Sequence, residues 1–569
     1  MPPIRSRLVR PLALAAALAL MLSAQGAAAQ ELPRTRAPRP TVPEISASDL
    51  MSRLYALADD SMMGRGAGTV GNFRATAYVA AEFARMGLEP AGENGTYFQT
   101  IPLRVRTPDP EGNSLSAGGT PLAVWTDFAP LPSVPGFLPV SVAFSADALP
   151  VVYGGQLGGT TIAPEQAAGK LVVLGAAPGI SPDREMAGAL RRYRTAAAVA
   201  MTLLDVYPEE IMDFVREQRP TLLDPKHPEP ANLPAGLLLT GRAAEALMGA
   251  PLAGLRPGAA GRTAAVRVRF AESAPEAPAR NVVAILRGSD PRLRNEYVAI
   301  GAHNDHIGLQ PPVDHDSLRA FNAVMAPEGV NSNPGEPTPQ QWARIRATLD
   351  SLRRVRPARL DSIANGADDD GSGTVTLLEI AEQLASASPR PRRSILFVSH
   401  TGEELGLFGS QYFTDNPTVP RDSIVTQLNM DMVGRGRAED VKGGGPRSIQ
   451  MIGSRRLATE LGDSIDALNR RRAQPMVVDY SFDAPGHPYN RYCRSDHYMY
   501  ARYGIPITYF SAGYHRDYHM VTDEPQYIDY DHMALIGGFV RDIAVTVADM
   551  SHRPVVDHPK PDPNGGCRQ

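Results

Sequence analysis

Cysteine is nearly absent: a chain of 569 residues holds two, Cys493 and Cys567. That excludes a disulfide-framed scaffold and any Cys-rich zinc or iron–sulfur module. Neither sign of charge is in excess, with Lys+Arg 57 against Asp+Glu 61 and a formal charge of −4. A general nucleic-acid binder would carry a basic surplus, so no nucleic-acid partner is expected. After the N-terminal leader, no apolar run is long enough to span a bilayer. The G-x-S-x-G, H-E-x-x-H and G-x-x-x-x-G-K-[ST] signatures are missing, and no internal repeat is visible. The hydrophobic content of 43% and charged content of 21% are ordinary for a globular protein, so disorder throughout is excluded. Nothing in the sequence bears on oligomeric state.

What is present begins with the leader. Arg5, Arg7 and Arg10 precede the apolar run 11–21, and Ala27-Ala28-Ala29 follow. This is the basic, apolar and A-x-A order of a secretory signal peptide, so residues 1–29 are expected to be removed and the product exported, periplasmic or secreted. An oxidising compartment would allow Cys493 and Cys567 to pair. Against pairing, Cys567 sits in a Pro/Gly-rich segment, 553–569, that reads as a disordered tail.

Apolar spacing predicts helices over 48–57 and 72–86, the second with Phe73, Ala77, Ala80, Ala81 and Ala84 on one face and Gly87 as its C-cap. Residues 105–280 differ in texture. They are rich in Pro, Gly and Ala, with short β-like runs and one helix expected near 185–204, and read as a small β-rich insert. After Arg280 the pattern becomes α/β. Strand-like runs at 282–286, 297–301, 394–399, 424–429 and 505–510 alternate with helical stretches at 373–387, 405–413, 454–469 and 531–550. A charged, Pro-rich insertion, 310–360, interrupts this pattern and should be helical over 340–356. The expected divisions are 45–130 and 276–552 for one α/β domain, 131–275 for the insert, and 553–569 for the tail.

Histidine is unevenly placed: only His227 precedes residue 303, and the other eleven lie between His303 and His558. Mapped onto the predicted strands, acidic and histidine residues gather at strand ends. His303 and Asp305 follow the strand at 297–301, Glu403 and Glu404 the one at 394–399, Asp431 ends 424–429, and His515 and His519 follow 505–510. Open α/β sheets bind ligands along that edge. Asp368-Asp369-Asp370 stands just before the helix at 373. Taken singly, an Asp run there is usually a solvated capping loop, and a Glu-Glu pair is usually a wet surface. Converging carboxylates, however, repel unless a cation compensates them. Mixed His, Asp and Glu ligands suit zinc, and a shared Asp suits two metals.

The ordered set GAHNDH, GADDDGSG, HTGEELGLFGS, LNMDMVG, RSDH and DYHMVTD resembles the co-catalytic dizinc exopeptidases, relatives of bacterial leucyl aminopeptidase and aminopeptidase Y. The resemblance covers roughly 45–110 and 280–550, and the intervening segment is similar to a protease-associated (PA) domain. It implies a mixed, mostly parallel central sheet flanked by helices, two Zn2+ per chain, peptide substrates and aminopeptidase activity. It further implies that His303 and Asp431 hold one zinc, that Glu404 and His519 hold the other, and that Asp369 bridges them. Glu403 would be the general base for a dizinc-bound hydroxide, Asp305 the partner of His303 Nδ1–H, and Tyr518 a contact of the oxyanion. Ser495, Asp496 and His497 would stand behind the ligands or only cap a helix. The 310–360 insertion departs from the family's simplest pattern; its Asp314, His315 and Asp316 read as surface residues. The same metal core serves carboxypeptidases and dipeptidases, and glutaminyl cyclases share a related fold with one zinc.

Overall fold

A computed structural model of the chain describes residues 32–134, 138–177, 180, 182–207, 209–226 and 232–569. The expected leader and His227 lie outside the described residues. Three strand runs at the centre of the larger domain are almost wholly apolar, as strands covered on both faces must be. They belong to a nine-stranded sheet. In chain order its strands are β1 (Glu89–Pro90), β2 (Phe98–Thr100), β3 (Arg280–Leu286), β4 (Tyr297–His303), β5 (Ser394–His400), β6 (Ile424–Met430), β7 (Ser448–Ile452), β8 (Val477–Asp479) and β9 (Ile507–Ser511). The spatial order is β1-β3-β5-β4-β6-β9-β7-β8, with β2 also on β3. The central four, β5-β4-β6-β9, are parallel. β3 and β7 flank them antiparallel.

Helices cover the sheet. The named ones are α1 (Ala47–Leu57), α2 (Val70–Arg85), α3 (Gly373–Ser386) and α4 (Tyr530–Asp549). Val79 and Phe83 of α2, Leu377 and Leu384 of α3, and Phe539 and Val540 of α4 share one buried cluster with Val298, Ile300 and Phe397 of the strands. The buried face of α2 is Ala75, Thr76, Val79, Ala80 and Phe83, while Ala77, Ala81 and Ala84 are exposed. The expected face was therefore rotated. Alanine occurs on both stripes of this helix, and the larger Val79 and Phe83 decide which stripe gains more from burial. Gly87 adopts φ +71 just past the helix end, as expected for a C-cap.

Strand pairing within the expected insert reaches back before residue 131. Leu103–Pro108 pairs with Ala264–Ser273 in a six-stranded antiparallel sheet. A second, five-stranded sheet runs in the order Phe128–Pro130, Ala235–Leu239, Ala198–Met201, Leu171–Ala176, Val151–Leu157. Its last three pairings are parallel. Helices Pro182–Arg192 and Gly241–Met248 supply Leu190 and Leu247 to clusters built on Val172 and Val173 respectively. The insert thus has α/β layering of its own. The helix expected over 185–204 stops at Arg192, and Ala198–Met201 is a fully buried strand. A short apolar run reads alike as buried helix and buried parallel strand, which is why periodicity misassigned it.

The segment 553–569 has no helix or strand, but it is held, contrary to the expected disorder. Cys567 forms a disulfide with Cys493 across 74 positions. Gly486 N–H donates to the Gln569 carbonyl (3.0 Å), Tyr492 N–H to Gln569 Oε1 (3.2 Å), and Arg502 to the Pro563 carbonyl (3.2 Å). Composition could not reveal these partners, which lie far away in sequence. Closing a loop of this length contributes at most about 4.5 kcal/mol by loss of unfolded-chain entropy. We expect reduction, or Cys567→Ser, to release this segment and open it to added protease before the core melts. An unchanged C-terminal cleavage rate would show that the hydrogen bonds alone hold it.

Candidate metal centre

The carboxyl ends of the parallel strands meet at one edge, and the site is built there. His303 is the last residue of β4. Its Nδ1 lies 3.1 Å from the Asp305 backbone oxygen, which fixes the tautomer and turns Nε2 toward the cleft. The Asp305 carboxylate is farther away, at 3.7 Å. Instead it accepts from the backbone N–H groups of Glu403 (3.2 Å) and Glu404 (3.4 Å). Asp305 therefore partners His303, as expected, through its carbonyl, and braces the Glu403-Glu404 turn through its side chain.

Asp369 occupies the middle. Its Oδ1 is 3.2 Å from His303 Nε2 and its Oδ2 is 3.0 Å from His519 Nε2. Asp431 Oδ1 stands 3.8 Å from His303 Nε2. Glu404 Oε2 is 3.0 Å from His519 Nε2. Two ligand groups result, His303–Asp369–Asp431 and His306–Asp369–Glu404–His519, each with its donor atoms within 4.8 Å of one another. All five residues expected as ligands are in them, and Asp369 is in both.

His306 was not anticipated, although it stands only three residues after His303. Its Nδ1 is 2.7 Å from Glu404 Oε1 and 3.7 Å from Asp369 Oδ2. Glu403 belongs to neither group, with Oε2 3.9 Å from His303 Nε2. Tyr518 lines the same cavity, which Leu407, Met432, Arg491, Arg494, Tyr509 and Tyr514 also line. Leu407, Met432 and His519 have positive φ values of 66, 62 and 56. Such strain in non-glycine residues gathers at functional sites.

The Asp triplet is not a wet loop: Asp368, Asp369 and Asp370 are all buried. Asp368 accepts from Gly434 N–H (2.6 Å), and its other oxygen lies 3.1 Å from His515. Asp370 accepts from the N–H groups of His303, Gly373 and Met432, at 3.0, 2.9 and 3.1 Å. Asp523 accepts from Asp368 N–H (2.9 Å) and Asp369 N–H (3.1 Å). Three loops are thus locked around Asp369. Below them, the buried Arg65 donates to the Asn304 carbonyl (2.9 Å) and the Gly366 carbonyl (2.8 Å). Arg65, within the stretch Gly64–Gly68, supplies this brace.

Ser495, Asp496 and His497 are buried outside both ligand groups. Ser495 accepts from Asn429 Nδ2 (3.0 Å). Burial pushes Asp496 up to about 7 and His497 down to about 3. The insertion's Asp314, His315 and Asp316 do not reach the centre, but His315 and Asp316 are buried rather than at the surface. His315 pairs with Glu524 (2.7 Å), and Asp316 with Arg353 (2.8 Å) and Arg356 (2.7 Å). The insertion touches the site elsewhere, through Val330 N–H, which donates to the Tyr518 carbonyl (3.4 Å).

Charge crowding marks the place for cations. Burial drives the Glu403 carboxyl well above the carboxylate range; Asp431, Glu404 and Asp496 add to this, and His303 opposes it. Burial would lower His519, but Glu404 and Asp369 raise it to about 10. The buried His303 Nε2 has no hydrogen-bond partner, although it faces three carboxylates. An imidazole lone pair aimed among carboxylates is a metal donor set, and nitrogen with carboxylate oxygen suits zinc.

Residues 281–544 match the profile described as Peptidase family M28. The chain is 39% identical over 80 residues to leupeptin-inactivating enzyme 1 of Streptomyces exfoliatus, a match covering 14% of this chain and 18% of that protein. It is 28% identical over 197 residues to leucine aminopeptidase 1 of Aspergillus clavatus, covering 33% of this chain and 48% of the relative. The chain thus spans less than half the length of these curated relatives. A solved aminopeptidase from Aneurinibacillus sp. strain AM-1 superposes with a TM-score of 0.46 at 17% identity, covering 91% of this chain and 97% of that one. Both ligand groups fall inside residues 281–544, the segment that matches peptidase family M28.

Proposed function

We propose that the protein is a zinc-dependent exopeptidase that removes N-terminal residues from peptides and holds two zinc ions per chain. The observation that carries this reading is Asp369, whose two carboxylate oxygens face opposite ligand groups, His303 on one side and His519 on the other. His303, Asp369 and Asp431 would hold one ion, and Asp369, Glu404 and His519 the other. Zinc held there supplies Lewis-acid polarisation of a water and of the scissile carbonyl. Glu403, beside both groups but in neither, takes the proton of the attacking water and delivers it to the leaving amine. Asp305 holds the Glu403 backbone in register for that transfer, and Tyr518 lines the cavity on the side assigned to the oxyanion.

Among the described residues no helix is long and apolar enough to cross a membrane. The disulfide favours an oxidising compartment, in keeping with export. The insert is read as a PA-like module. Chelation with verified metal removal is expected to abolish hydrolysis of amino-acid arylamides, and added Zn2+ to restore it. Full activity without metal would overturn the reading. Cleavage of N-blocked dipeptides but not arylamides would reassign the enzyme to the carboxypeptidases or dipeptidases.

A further inference from the structure

Arg491 and Arg494 come from one short turn whose next-door Cys493 is tied to Cys567. Both line the catalytic cavity, which encloses about 270 Å³. That is small beside the roughly 300–1,000 Å³ of pockets that take drug-sized ligands. Neither guanidinium has an ion-pair partner among the described residues. Arg494 is open to the cavity, and its one polar contact is with the Tyr518 hydroxyl at 3.5 Å. Arg491 is buried. It donates to Gln450 Oε1, lies 4.2 Å from the Phe482 ring centre and 4.0 Å from that of Tyr514, and leaves Nε without a partner.

Four arginines at another cavity are answered by acids. A larger cavity, about 820 Å³, is lined by Arg319, Arg435, Arg437 and Arg516. These pair with Asp517, Asp440 and Asp529. Arg491 and Arg494 differ from those four. The carboxylates that line it, Asp369, Glu403, Glu404 and Asp431, are turned to the metal groups or to proton transfer. Two cations with no acid of their own, one buried and one free to move, form a receptor for an anion.

Resting on the exopeptidase reading above, we propose that Arg494, backed by Arg491, forms a carboxylate subsite, so that the enzyme favours substrates with a carboxylate close to the scissile bond. That group is either the free C-terminus of a dipeptide or the side chain of an acidic residue. The planar guanidinium of Arg494 suits bidentate binding, and Tyr518 links it to the loop that carries His519. Because Arg494 lines the same cavity as Asp369 and Glu403, a carboxylate within a residue or two of the scissile bond comes within reach of the turn.

The test uses two isosteric pairs: Leu-Gly against Leu-Gly-amide, and glutamyl against glutaminyl arylamide. Hydrogen bonds to a charged group are expected to favour one acid over its neutral partner by about tenfold to a hundredfold in kcat/KM. Preference within the first pair identifies a C-terminal carboxylate, and within the second an acidic side chain. Arg494→Met should lower the preferred acid at least about tenfold more than its neutral partner, and Arg494→Lys should recover part of the difference. A melting curve shows that each variant is folded. Calorimetric affinity of Leu-Gly and its amide for Glu403→Gln protein reads the same preference without turnover, and the arylamide pair can be titrated in the same way. Equal rates and equal affinities within both pairs would overturn the subsite. So would an Arg494→Met loss that is uniform across all four substrates. If the wild-type protein cleaves none of the four, the exopeptidase reading fails, while the affinity ratio still decides the subsite.

Discussion

Glu403→Gln is expected to lower kcat by about 10²- to 10⁴-fold while leaving zinc content near that of the wild-type protein. The amide keeps the volume and polarity of the side chain but cannot accept the proton of the attacking water. Glu403 lies outside both ligand groups, with its nearer oxygen 3.9 Å from His303 Nε2, so its replacement removes no metal ligand. Its backbone N–H stays bonded to Asp305, so the turn that presents Glu404 should keep its shape. The measurement pairs single-turnover rates with zinc quantified on the same sample. Loss of a zinc ion in this variant would make Glu403 a ligand and remove it from the role of base. Near-normal turnover would remove it from the reaction.

Asp369→Ala is expected to empty both metal sites together and to abolish turnover. Asp369 is the single residue common to the two groups. Without it, each site keeps fewer donors, and the remaining carboxylates face one another in a buried, weakly screening environment. Loss of an outer partner of a metal ligand typically costs about 10- to 100-fold in affinity, and loss of a shared ligand should cost each site at least that much. Asp369→Asn preserves the shape and separates folding from metal loss. The contrast lies in the outer ligands: Asp431→Asn and His519→Gln should each weaken one site more than the other. Full zinc content in Asp369→Ala would sink the bridging assignment.

The candidate ligand set was legible because the physics that places it is local. Parallel strands rich in buried apolar residues announce themselves as runs, and their carboxyl ends mark the ligand-binding edge. His303, Glu404, Asp431 and His519 stand at or just beyond such ends, so chain position indicated spatial position. The Asp triplet was ambiguous by the same standard. A run of three acids before a helix reads as solvated; only the N–H groups of Gly434 and His303, which donate to Asp368 and Asp370, and Asp523, which accepts from Asp369 N–H, show why all three are buried. His306 and Arg65 were missed for the same reason: the contacts that define them span about a hundred residues or more. The α2 face and the strand Ala198–Met201 were misread because small or apolar residues fit more than one pattern.

The two cysteines show where that division lies. The sequence by itself pointed to a metal centre. Carboxylates and imidazoles at the ends of apolar strands converge on one edge, and buried like charges require cations. Only the tertiary structure decided that Cys493 and Cys567 meet, that the C-terminal segment is held, and that the turn they anchor brings Arg491 and Arg494 to the cavity beside the candidate ligand groups. A strand end reports its neighbours through local pattern, whereas a disulfide, a docked tail and an unpaired charge are defined by what lies across space.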